Sequence, residues 1–232
     1  MHLAVLRADC DEVAGSPHGE MVVAGARAAG LDTVTFADFD VTRGQFPSED
    51  DKIDAFLISG SPSSANDEDA WIGALRVFLL DHVVGKRPVV GLCFGHQLLQ
   101  SVLGGTVQDG VGWELGVCSV ALTDVGRDVF AKETLDVMQT HSDAVVRPAP
   151  GFATLASNDA GEFQGLLDAE RRAMTLQWHP EFTPAIVTRI LETDAVRAAA
   201  TPALADAGIA SLSRPTSRDA MALAIARFLA TP

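Results

Sequence analysis

The 232-residue sequence has few cysteines and few basic side chains. Its three cysteines, Cys10, Cys93 and Cys118, are too scattered for a disulfide framework, and no C-x-x-C pair indicates a structural zinc site. Seventeen Lys and Arg against 31 Asp and Glu give a formal charge of −14. The resulting field repels phosphate backbones and anionic lipid headgroups, so we expect neither nucleic acid nor a membrane surface as a partner.

Long apolar runs and nucleotide-binding motifs are also absent from the sequence. No uninterrupted apolar run approaches the roughly 20 residues that a membrane-spanning helix needs. The first residues, MHLAVLRADC, lack a basic segment before a long apolar stretch, which favours a β-strand over a signal peptide. No P-loop of the form G-x-x-x-x-G-K-S/T occurs. We therefore expect a protein of the reducing cytoplasm, without an ATP site, a metal or another cofactor.

Short β-type runs alternate with longer helical patterns in the N-terminal half of the chain. Strands are predicted at His2 to Arg7, Thr33 to Phe36 and Ala55 to Ser59, and helices at Met21 to Ala29 and Trp71 to Val84. This alternation is typical of a parallel sheet that is covered by helices on both faces. With 47% hydrophobic residues, the chain can readily bury the core that such a fold requires.

Beyond Gly105 the pattern changes to several short strands separated by turns. These strands either lengthen the sheet or form a small antiparallel annex beside it. From about residue 184 to 232 the chain is rich in Ala, Arg and Leu, which predicts a tail of two helices with SRPTSR as the break between them. No internal repeat or low-complexity linker occurs, so we expect one three-layer α/β domain over residues 1–232, with a mostly parallel sheet.

Cys93 stands where the predicted strand PVVGL meets the predicted helix Phe94 to Leu103. Gly91-Leu92-Cys93-Phe94-Gly95 has the G-x-nucleophile-x-G form of an elbow, whose glycines allow close backbone approach in a sharp turn. The helix N-terminus favours thiolate over thiol, and the backbone N–H of Phe94 is free to donate to an oxyanion. Most free cysteines only fill space, so this pattern alone leaves a packing role open. Cys10 and Cys118 lack such surroundings, which favours packing or surface placement for both.

A cysteine nucleophile needs a base, and the base needs a group that orients it. His179 follows an apolar run, and Glu181 stands two residues on; on an extended backbone both side chains point the same way. His141 is a competing candidate, because the segment QTHSD also places a carboxylate near an imidazole. His96 lies three residues past Cys93, which favours a structural hydrogen bond. The remaining histidines have the character of ordinary strand, loop and helix residues: His2, His18 and His82.

Together these residues resemble the class I glutamine amidotransferase family of the triad type. The stretch Gly91 to Gln97 is similar to the family's G-x-C-x-G-x-Q signature, and Trp178 to Glu181 is similar to its H-P-E signature. Further stretches resemble the stand-alone subgroup related to the amidotransferase part of GMP synthase: Gly112 to Gly116, His141 to Val145 and Leu155 to Asn158. The resemblance covers about residues 1 to 190 and implies a flavodoxin-like fold.

The resemblance implies a thiol hydrolase that acts on the γ-amide of glutamine or of a γ-glutamyl compound. Cys93 would attack the γ-carbonyl and form a thioester, with release of ammonia or an amine. His179 would move the protons, and Glu181 would hold the imidazole.

The resemblance also implies an oxyanion hole and a substrate site. Oxyanion donors would be the backbone N–H groups of Gly60, Ser61 and Phe94. Ser61 departs from the family, which commonly has Gly before the proline of an S-G-G-P turn, and a similar S-G-S-P turn is found in the related γ-glutamyl peptidases. Both free glutamine and γ-glutamyl compounds therefore stay open as substrates. The glutamyl group would be bound by Gln97, His141, Ser142 and Asp143.

Three functional hypotheses follow from the resemblance. Family members normally deliver ammonia to a synthase, so a separate synthase protein is one expected partner. Alternatively, the protein is a hydrolase in its own right, with a small-molecule substrate and no such partner. A non-catalytic glutamine-binding or regulatory protein of the same fold is the third hypothesis.

Overall fold

A computed structural model of the chain describes residues 1–9 and 15–231. Cys10, for which we predicted packing or surface placement, lies outside these residues. The strands of the described chain are β1 His2–Arg7, β2 Thr35–Asp40, β3 Ala55–Ile58, β4 Val89–Leu92, β5 Thr106–Gln108, β6 Glu114–Leu122, β7 Thr134–His141, β8 Ala144–Arg147, β9 Ala153–Asn158, β10 Gly161–Asp168 and β11 Ala173–Leu176. Its α-helices are α1 Pro17–Ala28, α2 Ala70–Phe78, α3 Phe94–Val102, α4 Asp124–Phe130, α5 Pro184–Leu191, α6 Asp194–Ala199, α7 Pro202–Ser211 and α8 Arg218–Leu229.

Nine of the strands form one mixed sheet in the order β2-β1-β3-β4-β11-β10-β9-β6-β7. Neighbours from β2 to β11 run parallel, and those from β11 to β7 run antiparallel. β5 and β8 pair separately as a small antiparallel sheet. The predicted fold class is confirmed, and the later strands both lengthen the sheet and form the annex. Because β4 and β11 are parallel neighbours, with Leu92 opposite Leu176, the segments that follow them leave the sheet at one edge.

Helices cover both faces of the sheet, because successive side chains of a buried strand point to opposite sides. Leu3 and Val5 of β1 pack in one core cluster with residues of α1 and α8. Ala4 and Leu6 of the same strand pack in a second cluster with residues of α2 and α3. A third cluster lies between β6, β7 and the tail helices α5 and α7. Helices α5 and α7 of the tail therefore pack against the antiparallel half of the sheet, whereas α8 packs with α1.

Two predicted elements have different bounds in the structure. α1 begins at Pro17, a residue compatible with the first helical position, so the helix starts before the predicted Met21. β2 overlaps only the end of the strand predicted at 33–36, and it pairs with β1 from His2–Thr35 to Arg7–Asp40. Its extent is set by this pairing, which a β-branched pattern does not report. The helix predicted over 71–84 is α2, continued by a π-helical turn, Leu79–Val83.

The prediction of two tail helices is wrong. Four helices, α5 to α8, make up the tail, and the break predicted at SRPTSR separates only α7 from α8. Thr183, Thr193 and Thr201 each cap a new helix, because each side chain accepts a hydrogen bond from the backbone N–H three residues on. These caps divide the first predicted helix into α5, α6 and α7. Within residues 1–9 and 15–231, no helix combines the length and the apolar character of a membrane span.

Candidate active site

Cys93 lies at the turn between β4 and α3, as the elbow pattern predicts. Its backbone has φ 49° and ψ −105°, a strained conformation for a residue with a Cβ. Two close approaches shape the turn: a Cβ on Gly91 would lie 2.4 Å from the oxygen of Gly95, and one on Gly95 would lie 2.7 Å from the oxygen of Ile58. The N–H of Cys93 donates to the oxygen of Leu176 at 2.8 Å, which ties the elbow to β11.

His179 follows β11 and is held in one orientation by three contacts. Its N–H donates to the oxygen of Met138 at 2.9 Å, and its ring stacks on Phe182 with centroids 3.8 Å apart and planes 4° from parallel. Its Nδ1 lies 2.7 Å from Oε1 of Glu181. The backbone from His179 to Phe182 forms a turn, so the extended conformation that we predicted here is wrong. The two side chains nevertheless meet, because the turn folds Glu181 back onto the ring.

Gly60 marks the point where Cys93 and His179 come together. A Cβ added to Gly60 would lie 2.6 Å from Cε1 of His179 and 3.6 Å from Cβ of Cys93. The competing base, His141, is engaged elsewhere, since its Nε2 lies 3.1 Å from Oε2 of Glu114. Of the two candidate bases, the structure therefore brings His179 to the thiol.

The charged forms of His179 and Glu181 stabilise each other. Burial lowers the pKa of His179, but the Glu181 carboxylate and Cys93 raise it to about 10. Burial raises the pKa of Glu181, but His179 and His18 lower it to about 2. Near neutral pH the site therefore holds an imidazolium beside a carboxylate.

A cavity of about 390 Å³ opens over Cys93 and His179, a size suited to a small-molecule ligand. Ser61, Ser142 and Asp143 are among its polar lining residues. The described residues that line it include no Lys or Arg. An apolar part of the wall comes from α5, α6 and two neighbouring aromatic residues; its members are Trp113, Phe182, Ile190, Ala195, Val196 and Ala199.

Residues 20–198 match the family model for glutamine amidotransferase class-I. The chain belongs to the class I glutamine amidotransferase family. A glutamine amidotransferase-like protein of Schizosaccharomyces pombe is 33% identical over 190 residues, which make up 79% of this chain and 76% of that protein. A glutamine-hydrolysing GMP synthase subunit from Saccharolobus solfataricus is 32% identical, over 62% of this chain and 77% of that protein. Gamma-glutamyl peptidase 3 of Arabidopsis thaliana is 31% identical, over 66% of each chain.

The fold also matches that of a solved family member. The crystal structure of a glutamine amidotransferase from Thermotoga maritima aligns with a TM-score of 0.74, over 100% of this chain and 99% of that chain, at 20% sequence identity. The family fold expected from the sequence motifs is thus confirmed over the aligned chain.

The four residues predicted to bind the substrate lie together at the cavity. Two of them hold the backbone of Asp143: Nε2 of Gln97 donates to its oxygen at 2.8 Å, and Nδ1 of His141 lies 3.0 Å from the same oxygen. Oδ1 of Asp143 accepts from the N–H of Gly110 at 2.9 Å. Gln97 and His141 therefore use these atoms to shape the loop that carries Ser142 and Asp143.

Glu114 has a position in the site that its motif alone does not predict. Its Oε1 accepts from Nδ2 of Asn158 at 2.6 Å, and its Oε2 accepts from Nε2 of Gln164 at 2.6 Å beside His141. Glu114, His141 and Asn158 come from the three stretches that resemble the GMP-synthase-related subgroup. Because all three stretches resemble the same subgroup, that resemblance was a signal that these residues share one buried polar network.

The three residues predicted as oxyanion donors lie on two sides of Cys93. Phe94 is the first residue of α3, where a backbone N–H has no partner within the helix. Gly60 and Ser61 follow β3 and line the cavity. Their turn is held by Ser59, whose Oγ donates to the oxygen of Gly60 at 2.8 Å.

Two further predictions concern buried groups outside the triad. His96 is fully buried, and its Nδ1 lies 2.8 Å from Oγ1 of Thr175, which confirms the predicted structural hydrogen bond. Burial, with a smaller effect of His141, lowers the pKa of His96 to about 3. Cys118 is half-buried in β6, where burial and Glu114 raise the pKa of its thiol to about 11. A thiol with so high a pKa carries little thiolate, in keeping with a packing role.

His18 is a further site residue that the sequence did not predict. We expected an ordinary loop residue, and this is wrong: His18 lies in α1 and is only 1% exposed. Its Nε2 lies 3.2 Å from Oε1 of Glu181, the oxygen that also contacts His179. Residues 18 and 181 meet only through the packing of α1 against the sheet, so no local pattern could have signalled the contact.

Proposed function

We propose that this family member is a thiol hydrolase that cleaves the γ-amide of a γ-glutamyl compound or of glutamine. The Cys93 thiolate adds to the γ-carbonyl carbon, the C–N bond breaks, and the imidazolium of His179 gives its proton to the leaving nitrogen. This half-reaction yields a thioester and an amine or ammonia. His179 then takes a proton from water, whose oxygen attacks the thioester and releases the γ-carboxylate and the free thiol.

The observation that carries this proposal is the 2.7 Å contact between Nδ1 of His179 and Oε1 of Glu181 beside Cys93. Glu181 is fully buried and the ring of His179 is stacked on Phe182, so the base is oriented before any substrate arrives. A cysteine with only a packing role needs no such arrangement. A reducing compartment such as the cytoplasm would keep this thiol free.

The oxyanion that develops at the substrate carbonyl would be stabilised by the backbone N–H groups of Phe94, Gly60 and Ser61. Backbone donors that are fixed before the reaction stabilise such a charge at little reorganisation cost. The position of Phe94 at the start of α3 supports its role, because the helix N-terminus also favours negative charge. Asp143 would bind the α-ammonium group of the glutamyl part.

The apolar part of the cavity wall favours a γ-glutamyl amide over free glutamine. Ammonia, the leaving group of glutamine, has no apolar surface to bury, whereas an amine with an aliphatic or aromatic side chain would pack against Val196 and Trp113. The similarity to a gamma-glutamyl peptidase supports the same substrate class. We therefore propose a γ-glutamyl amide of an apolar amine as the preferred substrate and glutamine as the second candidate substrate.

A substrate screen tests the proposal. Purified wild type and Cys93→Ala are compared on glutamine, glutathione and γ-glutamyl dipeptides, with release of ammonia or amine as the readout. We expect γ-glutamyl dipeptides to be cleaved by wild type alone. A glutamine-analogue electrophile should add covalently to Cys93. Full activity of Cys93→Ala would refute the nucleophile, and no adduct together with no turnover would favour a non-catalytic binding protein.

A glutaminase component of a two-protein synthase is the second candidate. The observation that favours it is the similarity to glutamine-hydrolysing GMP synthase subunits of Saccharolobus solfataricus and Sulfolobus acidocaldarius. Such a protein would release ammonia from glutamine slowly when alone and faster once its synthase partner is bound. Addition of a synthase protein from the same genome should then raise glutamine turnover, whereas cleavage of γ-glutamyl dipeptides by the isolated protein would contradict this candidate.

A further inference from the structure

His18 joins the triad to a second carboxylate. Its Nε2 lies 3.2 Å from Oε1 of Glu181, and its Nδ1 lies 3.7 Å from Oδ2 of Asp9, which follows β1. Asp9 is itself paired with Arg7, whose Nε donates to Oδ1 of Asp9 at 3.1 Å. The side chains of His18, Asp9 and Glu181 are 1%, 5% and 0% exposed, so the contacts are shielded from solvent. Among residues 1–9 and 15–231, the charged groups in contact with His18 are Asp9, which follows β1, and Glu181 in the turn after β11.

We propose that His18 is a positioning residue of the active site, which fixes the Glu181 carboxylate and through it the imidazole of His179. This inference rests on the proposed function, since it assigns a role toward the same base. The resulting series runs Arg7, Asp9, His18, Glu181, His179 and Cys93.

The geometry at Glu181 supports this role. Both imidazoles contact Oε1: Nδ1 of His179 lies 2.7 Å from it and Nε2 of His18 lies 3.2 Å from it. Oε2 is buried without a hydrogen-bond partner among the described residues. A buried carboxylate needs compensating groups to keep its charge, and the imidazole of His18 is the one that approaches Oε1 from outside the triad, with Nε2 at 3.2 Å but outside hydrogen-bond geometry. Without it, Glu181 would depend more heavily on His179 and would protonate more readily.

The position of His18 is set by the packing of α1. A Cβ added at the next residue, Gly19, would lie 2.3 Å from the ring of Phe36, so α1 touches β2 there at very short range. Near the other end of the helix, a Cβ added to Gly25 would lie 2.1 Å from the oxygen of Ala222 in α8. A helix held this tightly at two points presents the imidazole in one place, as a positioning residue requires.

The test compares His18→Gln with His18→Asn. The Gln amide nitrogen can reach about as far as Nε2 and so can approach Glu181, whereas the Asn amide reaches only about as far as Nδ1. The readout is the rate at which iodoacetamide alkylates Cys93 as a function of pH, followed on the Cys93 peptide by mass spectrometry. This rate reports the thiolate and needs no knowledge of the substrate. Glu181→Gln is the positive control, and the exposed His82→Gln is the neutral one.

We expect His18→Asn and Glu181→Gln to move the acidic limb of the alkylation profile to higher pH. Near neutral pH the rate should fall on the order of 10-fold, the size expected for one hydrogen bond to a charged group. His18→Gln should retain most of the wild-type rate. A merely structural His18 would give the same profile for Gln and Asn in folded protein, and that result would overturn the inference.

Two further outcomes separate this inference from the proposed function. A wild-type Cys93 that reacts no faster than Cys118 would contradict the proposed nucleophile and the inference together. A shift in Glu181→Gln without any shift in His18→Asn would leave the proposed function intact and overturn only the role of His18. Thermal melting of each variant identifies any that is unfolded. If His18→Asn does not fold, the alkylation profile of His18→Gln decides, and a shift as large as that of Glu181→Gln would overturn the inference.

Discussion

The backbone of Gly60 passes so close to the imidazole of His179 that a Cβ on Gly60 would lie 2.6 Å from Cε1 of the ring. The ring cannot move freely away from Gly60, because one of its faces is stacked on Phe182. Gly60 therefore limits where the base can stand relative to Cys93. This close approach gives the turn after β3 a role beyond the proposed donation of its N–H groups.

Gly60→Ala should lower kcat/KM by about 100-fold or more, because displacing a reacting group by about 1 Å has an effect of that size. Gly73→Ala is the matched control: its added Cβ meets nothing within 4 Å, and Ala in the middle of α2 should raise the free energy of unfolding by roughly 0.5–1 kcal/mol. Steady-state kinetics and urea unfolding measure both effects. An active Gly60→Ala protein would show that the imidazole has room to move.

Glu181→Gln should reduce kcat by up to about 10,000-fold with little change in KM, because the amide neither compensates the imidazolium nor holds the required tautomer. The exposed Glu162→Gln changes charge equally but lies outside the site, and it should behave as wild type. Kinetics on the substrate identified in the screen provide the measurement. A Glu181→Gln variant with wild-type kcat would remove Glu181 from the mechanism.

His96 should make the fold sensitive to acid. Its pKa is lowered from 6.5 to about 3. Between about pH 6.5 and pH 3, His96 is therefore protonated in the unfolded chain but neutral in the folded protein. As the pH falls through this window, the free energy of unfolding decreases by about 1.4 kcal/mol per pH unit on account of His96. His96→Asn should flatten the pH dependence of urea unfolding in this window, whereas the exposed His82→Asn should not. Equal slopes in both variants would contradict a neutral buried His96.

Val196→Asp should distinguish substrates by their leaving groups. A carboxylate in the apolar wall should raise KM for γ-glutamyl-leucine on the order of 10-fold, while glutamine, whose leaving group is ammonia, should be turned over as before. Leu204→Asp places the same charge on α7, outside the cavity lining, and serves as the control. If glutamine and γ-glutamyl-leucine respond alike, the wall does not contact the leaving amine.

Local patterns predicted the elbow and the base with its acid, and tertiary contacts decided much of the rest. The glycines around Cys93 predicted the elbow because a strand-to-helix turn of this kind has no room for a Cβ at Gly91 or Gly95. The turn that carries His179 was predicted as extended, since a two-residue spacing suits both a strand and a folded-back turn. The tail was predicted with too few helices, although the capping residues Thr193 and Thr201 were visible in the sequence.

By itself, the sequence determined the class of fold, the elbow at Cys93 and the pairing of His179 with Glu181, because each depends on residues within a few positions of one another. Only the tertiary structure decided that His179 and not His141 reaches Cys93, that Glu114 pairs with His141, and that α5 and α6 supply an apolar wall. It also decided the place of His18. These contacts join segments far apart in the chain, and their distances follow from the order of the strands and the packing of helices on the sheet, which no local spacing encodes.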